Sequence, residues 1–179
     1  MKWFCILIFS YFGLNSIIYG QVYINEVCSK NSNNLKDENG EYSDWIELYN
    51  TDNEAIDLHE YYVSDDKSDL YKWNFPNQTI LQSKSFLILY ADSKNNTNIL
   101  FHTNFKLSSN GETLYLSKNQ SLVQTFPFPE IPENQSYGNA SNNPNITSCF
   151  RTVSPGNTNE YNDQNPSCAT SKINLNYPS

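Results

Sequence analysis

The chain has 179 residues, a formal net charge of −8 and a pI near 4.6, with hydrophobic residues at 38% and aromatics at 15%. That length holds one ordinary domain with short attachments and excludes a multidomain machine. A mean hydropathy of −0.62 alongside 13 Tyr, 10 Phe and 3 Trp describes a core built from rings rather than a disordered chain. Polarity comes mostly from amides and hydroxyls, with 27 Asn and only 17% charged residues. The acidic balance repels a phosphate backbone, so nucleic acid is not expected as a partner.

At the N-terminus, Lys2 is followed by an apolar run from Trp3 to Leu14 and then by Ser16-Ile17-Ile18-Tyr19-Gly20. This is the pattern of an export signal over residues 1–20, with small Gly20 placed for cleavage before Gln21. Removing Lys2 takes the charge from −8 to −9. The run is short for a bilayer span, which needs about 20 apolar residues, and no later stretch is apolar enough, so no membrane span is expected after cleavage. The expected location is secreted or cell-surface.

From Gln21 onward the hydrophobic period is two, predicting a nearly all-β domain over 21–159. Val22, Ile24 and Val27 open a strand, and a polar loop from Ser29 to Tyr42 follows. Trp45 to Tyr49 alternates bulky residues with Glu47, with turn chemistry at Asn50 to Asn53. Ile56 to Val63, Tyr71 to Phe75 and Thr79 to Leu81 come next, Pro76 marking an end. Phe86-Leu87-Ile88-Leu89-Tyr90 is the most hydrophobic stretch and predicts a strand buried on both faces. Asn110-Gly111 leads into Thr113 to Leu116, whose hairpin partner is Ser121 to Phe126 across Lys118 to Gln120. Short strands are expected at Ser136 to Gly138 and Cys149 to Val153, and a mobile Asn- and Pro-bearing tail over 160–179. Many short strands near ten residues apart indicate a two-sheet sandwich or a barrel. Trp45, Leu48, Trp73, Phe86, Ile88 and Leu114 are the expected core.

Cys5 leaves with the signal, which keeps Cys28, Cys149 and Cys168 in an oxidising route. Closing the loop between Cys149 and Cys168 stabilises by about 3 kcal/mol on a chain-entropy basis; Cys28 with Cys149 is the competing pair, and three unpaired thiols the plainest one. Asp37-Glu38-Asn39-Gly40-Glu41 with Asp44 gathers oxygen ligands, so Asp37, Asn39, Glu41 and Asp44 are a candidate Ca²⁺ set, although the EF-hand order is missing and a solvated turn explains the same residues. No other cofactor is expected. Glu47, if buried, needs a partner, for which Lys72 and Lys106 are candidates. His59 and His102 sit in no nucleophile motif, so an enzyme is not expected; carboxylates Glu26, Asp44 and Glu47 are what a small hydrolase would have to use. Asn-x-Ser/Thr sequons begin at Asn77, Asn95, Asn119, Asn134, Asn139 and Asn145.

Seven pieces occur in order: Ile24-Asn25-Glu26-Val27; Asp44 to Asn50; Ile56-Asp57-Leu58 with Tyr61 to Asp66; Lys72 to Pro76; His102 to Ser108; Gly111 to Leu116; and Ser154-Pro155-Gly156-Asn157. The succession resembles the lamin tail domain in its bacterial, secreted form, over about Val22 to Asn159. Cys28 and His59 depart from the family's usual residues at their positions. The resemblance implies an immunoglobulin-like β-sandwich and a non-catalytic binding or tethering module. The expected partner is a protein or polysaccharide, met through loops at Asn31 to Tyr42, Asp65 to Leu70 and Asn95 to Asn98. The alternative is a calcium-dependent carbohydrate or surface-polymer binder with Tyr42, Tyr61 or Tyr71 as stacking platforms.

Overall fold

The computed structural model describes residues 22–119 and 121–160. The expected signal segment 1–20, the tail beyond Glu160, Cys5 and Cys168 lie outside them. Twelve strands and one short 3₁₀ turn, Ala140–Asn142, make up the described elements, with no α-helix among them. The fold is all-β, as the period of two predicts.

One sheet has six strands. Its centre is β1 (Val22–Cys28) beside β2 (Trp45–Asn50), flanked on one side by β11 (Ser136–Asn139) and β12 (Thr147–Phe150), and on the other by β7 (Phe86–Tyr90) and β8 (Phe101–His102). The pairing is antiparallel except between β7 and β8. A second sheet has the order β10 (Ser121–Pro129), β9 (Gly111–Lys118), β4 (Tyr61–Ser64) and β5 (Trp73–Asn74). A small ribbon of β3 (Ile56–Asp57) and β6 (Ile80–Leu81) completes the set. The β9–β10 hairpin pairs Lys118 with Ser121, and Asn119 takes the positive φ of its two-residue turn.

The main core lies between the two large sheets. Ile24, Val27, Ile46 and Leu48 meet Val63, Leu114, Leu116 and Phe126, with Trp73 and Phe75 packed edge to face at 4.8 Å. Fully burying a side chain such as Leu116 or Phe75 stabilises the fold by about 1.5–3 kcal/mol. Gln124 ties the sheets at one edge: its Oε1 accepts the Ile24 N–H at 2.6 Å and its Nε2 donates to the Ile24 carbonyl at 3.3 Å, so a side-chain amide on β10 serves the backbone of β1.

Alternation sends the remaining residues of β1 and β2 to the opposite face, and that face is not bare. Trp45, fully buried, sits there with Cys28 and Tyr90, covered by Leu35, Leu100 and Val153 from three loops. Trp45 therefore belongs to a second cluster and is not the centre of the main core. Leu48, Trp73 and Leu114 are in the main core; Ile88 is half-buried against the Trp45 cluster, and Phe86 is half-buried against Tyr49 at 4.6 Å. The strand Phe86–Tyr90 is buried fully only at Leu89 and Tyr90, because two-residue β8 pairs with those two and leaves the first three at the sheet edge.

Candidate functional site

Two polar clusters lie on the loop-covered face of the six-stranded sheet. The first is built by the loop between β1 and β2. Asn31 organises its base: Nδ2 donates to the carbonyls of Leu35 at 2.6 Å and Ser43 at 2.8 Å, while its backbone N–H donates to Asp44 at 3.1 Å. Farther out, Asp37 Oδ1 accepts the N–H groups of Asn39 and Glu41, both at 2.9 Å, around Gly40 at φ +80°.

The other carboxylate oxygen of Asp37 receives Lys94, which enters from the β7–β8 connection. Lys94 Nζ lies 2.7 Å from Asp37, 2.8 Å from Glu41 and 3.0 Å from Asp92. Beside it His102, fully buried on β8, faces Asp92 through Nδ1 at 2.8 Å and Glu38 through Nε2 at 2.9 Å. Both ring nitrogens meet carboxylates, an arrangement that favours the doubly protonated imidazolium. Burial acts to lower the His102 pKa, but Glu38 and Asp92 outweigh it and the net direction is up. Burial likewise acts to raise Asp37 and Asp92, and is outweighed by Lys94 with the surrounding donors, so both fall below the usual carboxylate range. Lys94 moves up for the reciprocal reason. His102 also stacks on Tyr90 at 5.2 Å, whose hydroxyl donates to the Lys36 carbonyl at 2.7 Å.

This geometry divides the sequence-derived Ca²⁺ set. Asp37 and Glu41 converge on the Lys94 ammonium; Asn39 contributes its backbone N–H to Asp37; Asp44 is elsewhere, accepting from Asn31 at the loop base. The group whose ligand atoms gather within 4.8 Å of one another is Asp37, Asp92 and His102. Asp92 and His102 lie beyond the reach of local spacing, since they come from the connection after β7 and from β8.

The second cluster centres on Glu26 and Glu47, opposite each other on β1 and β2 and fully buried. Among the described residues no lysine is bonded to Glu47: Lys72 pairs with Asp65 at 2.7 Å, Lys106 acts on Asp44, and Glu47 instead accepts the Asn25 amide at 2.9 Å and the Gly156 N–H at 2.6 Å. Glu26 accepts the Ser136 hydroxyl. The segment from Val153 to Asn159 arches over both carboxyls.

Of the cysteines, Cys28 is a buried free thiol and Cys149 is not free, so the Cys28–Cys149 pair does not form. Tyr42 and Tyr71 are exposed, with Lys36 Nζ 5.1 Å from the Tyr42 ring centre and Tyr62 edge-on to Tyr71 at 4.9 Å. Tyr61 is buried and offers no platform, because its ring is part of the main core. His59 is exposed beside Asp57, 3.3 Å away. A shallow polar groove of about 430 Å³ runs between β5 and the β7–β8 connection, lined by Lys72, Trp73, Asn74, Pro76, Asn95, Thr97 and Asn104. Asn95 and Thr97 belong to one of the three loops singled out in the sequence.

An all-β sandwich with polar clusters buried under its loops defines the class of protein. The Lamin Tail Domain family model matches residues 17–129, and the chain belongs to that family. The match ends at Pro129, so β11, β12 and the 153–159 arch lie beyond it. No curated protein and no solved structure matches the chain.

Proposed function

We propose that this chain is an exported, non-catalytic binding or tethering module that holds a polysaccharide or protein ligand outside the cytoplasm through its loops. The observation that carries the reading is the groove beside β5: its rim of carboxamides and a hydroxyl, Asn74, Asn95, Asn104 and Thr97, offers donors and acceptors that suit sugar hydroxyls, and the charged residue in its lining, Lys72, is paired with Asp65 at 2.7 Å. The Lys94 cage supports it by holding the 31–42 loop and the 95–98 loop on a fixed frame. The buried state of His102, with both nitrogens engaged, supports a role in structure rather than as a base. The N-terminal pattern supports export, and a Cys149–Cys168 disulfide fits an oxidising route.

The second reading, calcium-dependent binding of a carbohydrate or surface polymer, draws on the convergence of Asp37, Asp92 and His102. Lys94 stands against it, because its ammonium already occupies the space between the carboxylates.

Two measurements test the proposal. Intact mass of the protein recovered from outside the cell is expected to correspond to a chain starting at Gln21, two hydrogens lighter than the fully reduced chain; a full-length intracellular product contradicts export. Co-sedimentation with insoluble polysaccharides is expected to fall with the double variant Asn95→Ala, Thr97→Ala, and equal retention of wild type and variant contradicts the groove.

A further inference from the structure

The arch from Val153 to Asn159 rests on an unusual support. Glu26 and Glu47 are direct cross-strand partners, both fully buried, and among the described residues no Lys or Arg is bonded to either. The register slips at Asn25, between the pairs Ile24–Leu48 and Glu26–Glu47, which places an extra amide beside the two carboxyls. Two oxygens in this cluster have no hydrogen-bond partner: Glu26 Oε2 and Asn25 Oδ1. Orphaned buried acceptors are costly. One proton on Glu26 turns an orphan acceptor into a donor and removes a charge from the pair.

We propose that the Glu26–Glu47 pair holds a proton at neutral pH and that this proton latches the 153–159 arch to the sheet, making the arch a clasp that opens in alkaline conditions. The arch touches the pair directly through the Gly156 N–H on Glu47, and Ser154, whose hydroxyl donates to Asn159 at 2.5 Å, stands beside Glu26. Its other anchors are neutral: the Asn159 carbonyl accepts the Ser141 N–H at 2.6 Å, the Asn159 N–H and side-chain amide donate to Asn142 Oδ1 at 3.3 Å and to the Asn139 carbonyl at 3.2 Å, Asn142 donates to Thr158 at 3.0 Å, and Val153 packs on the Trp45 cluster.

Titratable groups near the pair come from each packed element. Tyr23 and Cys28 lie on β1, Tyr49 on β2 and Asp44 just before it; β11 contributes neutral Ser136, β7 apolar Ile88, and the arch only Ser154, Gly156 and Asn159. None supplies positive charge. Burial pushes Glu26 up to about 7 despite Ser136 and Ser154, and Glu47 up to about 8 despite Asn25 and Gly156, with Glu26 adding to the rise. Such a pair loses its protons in two coupled steps. Once both are charged, two carboxylates share a dry site, and lifting the arch lets water reach them.

The test follows arch and carboxyls together in the full chain. Carboxyl carbon NMR of Glu26 and Glu47 is expected to show at least one step above pH 6, and hydrogen-exchange protection of residues 151–159, corrected for intrinsic exchange, to fall on the order of tenfold with the same midpoint. Glu47→Gln is expected to keep the arch protected through pH 9, with Glu26→Gln as the parallel variant if the first does not fold. Labelling of Cys28, which shares its cluster with Val153, should accelerate in wild type relative to the Gln variant at the same alkaline pH. Both carboxyls titrating near 4.5, constant arch protection from pH 6 to 9, or the same loss in wild type and variant overturns the proposal.

Discussion

Lys94 Nζ lies 2.7 Å from Asp37 Oδ2, joining the loop after β1 to the connection after β7 across 57 residues of sequence. The Asp37 side chain is fully buried while Lys94 is 34% exposed, so the lysine closes the cage from the solvent side. Together with imidazolium His102, it balances part of the charge of Asp37, Glu38, Glu41 and Asp92 from within the fold.

Removing that cation should therefore cost more than a surface ion pair does. Lys94→Met is expected to destabilise by about 2 kcal/mol, discounted for the exposure of the ammonium, and Lys94→Arg by less. Denaturant midpoints of the two variants check this; no loss in Lys94→Met contradicts the cage.

Stability should depend on pH with opposing limbs. Asp37 and Asp92 sit below their ordinary value of 3.8, so their contribution is full above that pH and is lost as pH falls through their lowered values. Glu26 and Glu47 are raised from 4.5 to about 7 and about 8, so the folded state holds more protons and stability falls as pH rises from 4.5 to about 8. His102, raised from 6.5, adds stability below that pH and loses it as pH rises through its folded value. Urea midpoints are expected to peak between about pH 4 and 6. A midpoint that climbs steadily from pH 5 to 8 contradicts these assignments.

Two turn glycines should respond differently to alanine. At Gly111, φ is +86° and a Cβ would lie 2.6 Å from the Phe128 carbonyl oxygen, so Gly111→Ala is expected to cost about 2 kcal/mol or more. Gly40, at φ +80°, has nothing within 4 Å, and Gly40→Ala should cost about 1 kcal/mol from backbone strain alone. Thermal midpoints rank the two.

Calcium should leave melting unchanged. A site with a dissociation constant of about 0.1 mM would, at about 10 mM calcium, stabilise by about 2.7 kcal/mol and raise the midpoint by several degrees. With Lys94 in place the expected shift is within about 1 °C. A saturable rise revives the calcium-dependent reading.

Much of the fold was legible because strands announce themselves by alternation and turns by Asn, Gly and Pro. Ile24, Leu48 and Leu114 fall into the core as their period requires, and the Lys118–Ser121 hairpin closes where the turn residues stand. Alternation does not say which face of a sheet is covered by loops, so Trp45 reads as the main core from sequence and lies in the second cluster. Glu47 reads as a candidate for Lys72, yet its partners are an amide on the bulged Asn25 and a backbone N–H more than a hundred residues away. The acidic loop shows its carboxylates in sequence but not Lys94 and His102, whose arrival depends on how β7 and β8 pair.

The function proposed above has the groove beside β5 holding a polysaccharide without a metal. Co-sedimentation of the full chain with insoluble polysaccharides in EDTA tests it most directly, with the Asn95→Ala, Thr97→Ala variant alongside. Retention of the wild type in EDTA and its loss in the variant are expected; retention only when calcium is restored, or equal retention of both proteins, would overturn the proposal.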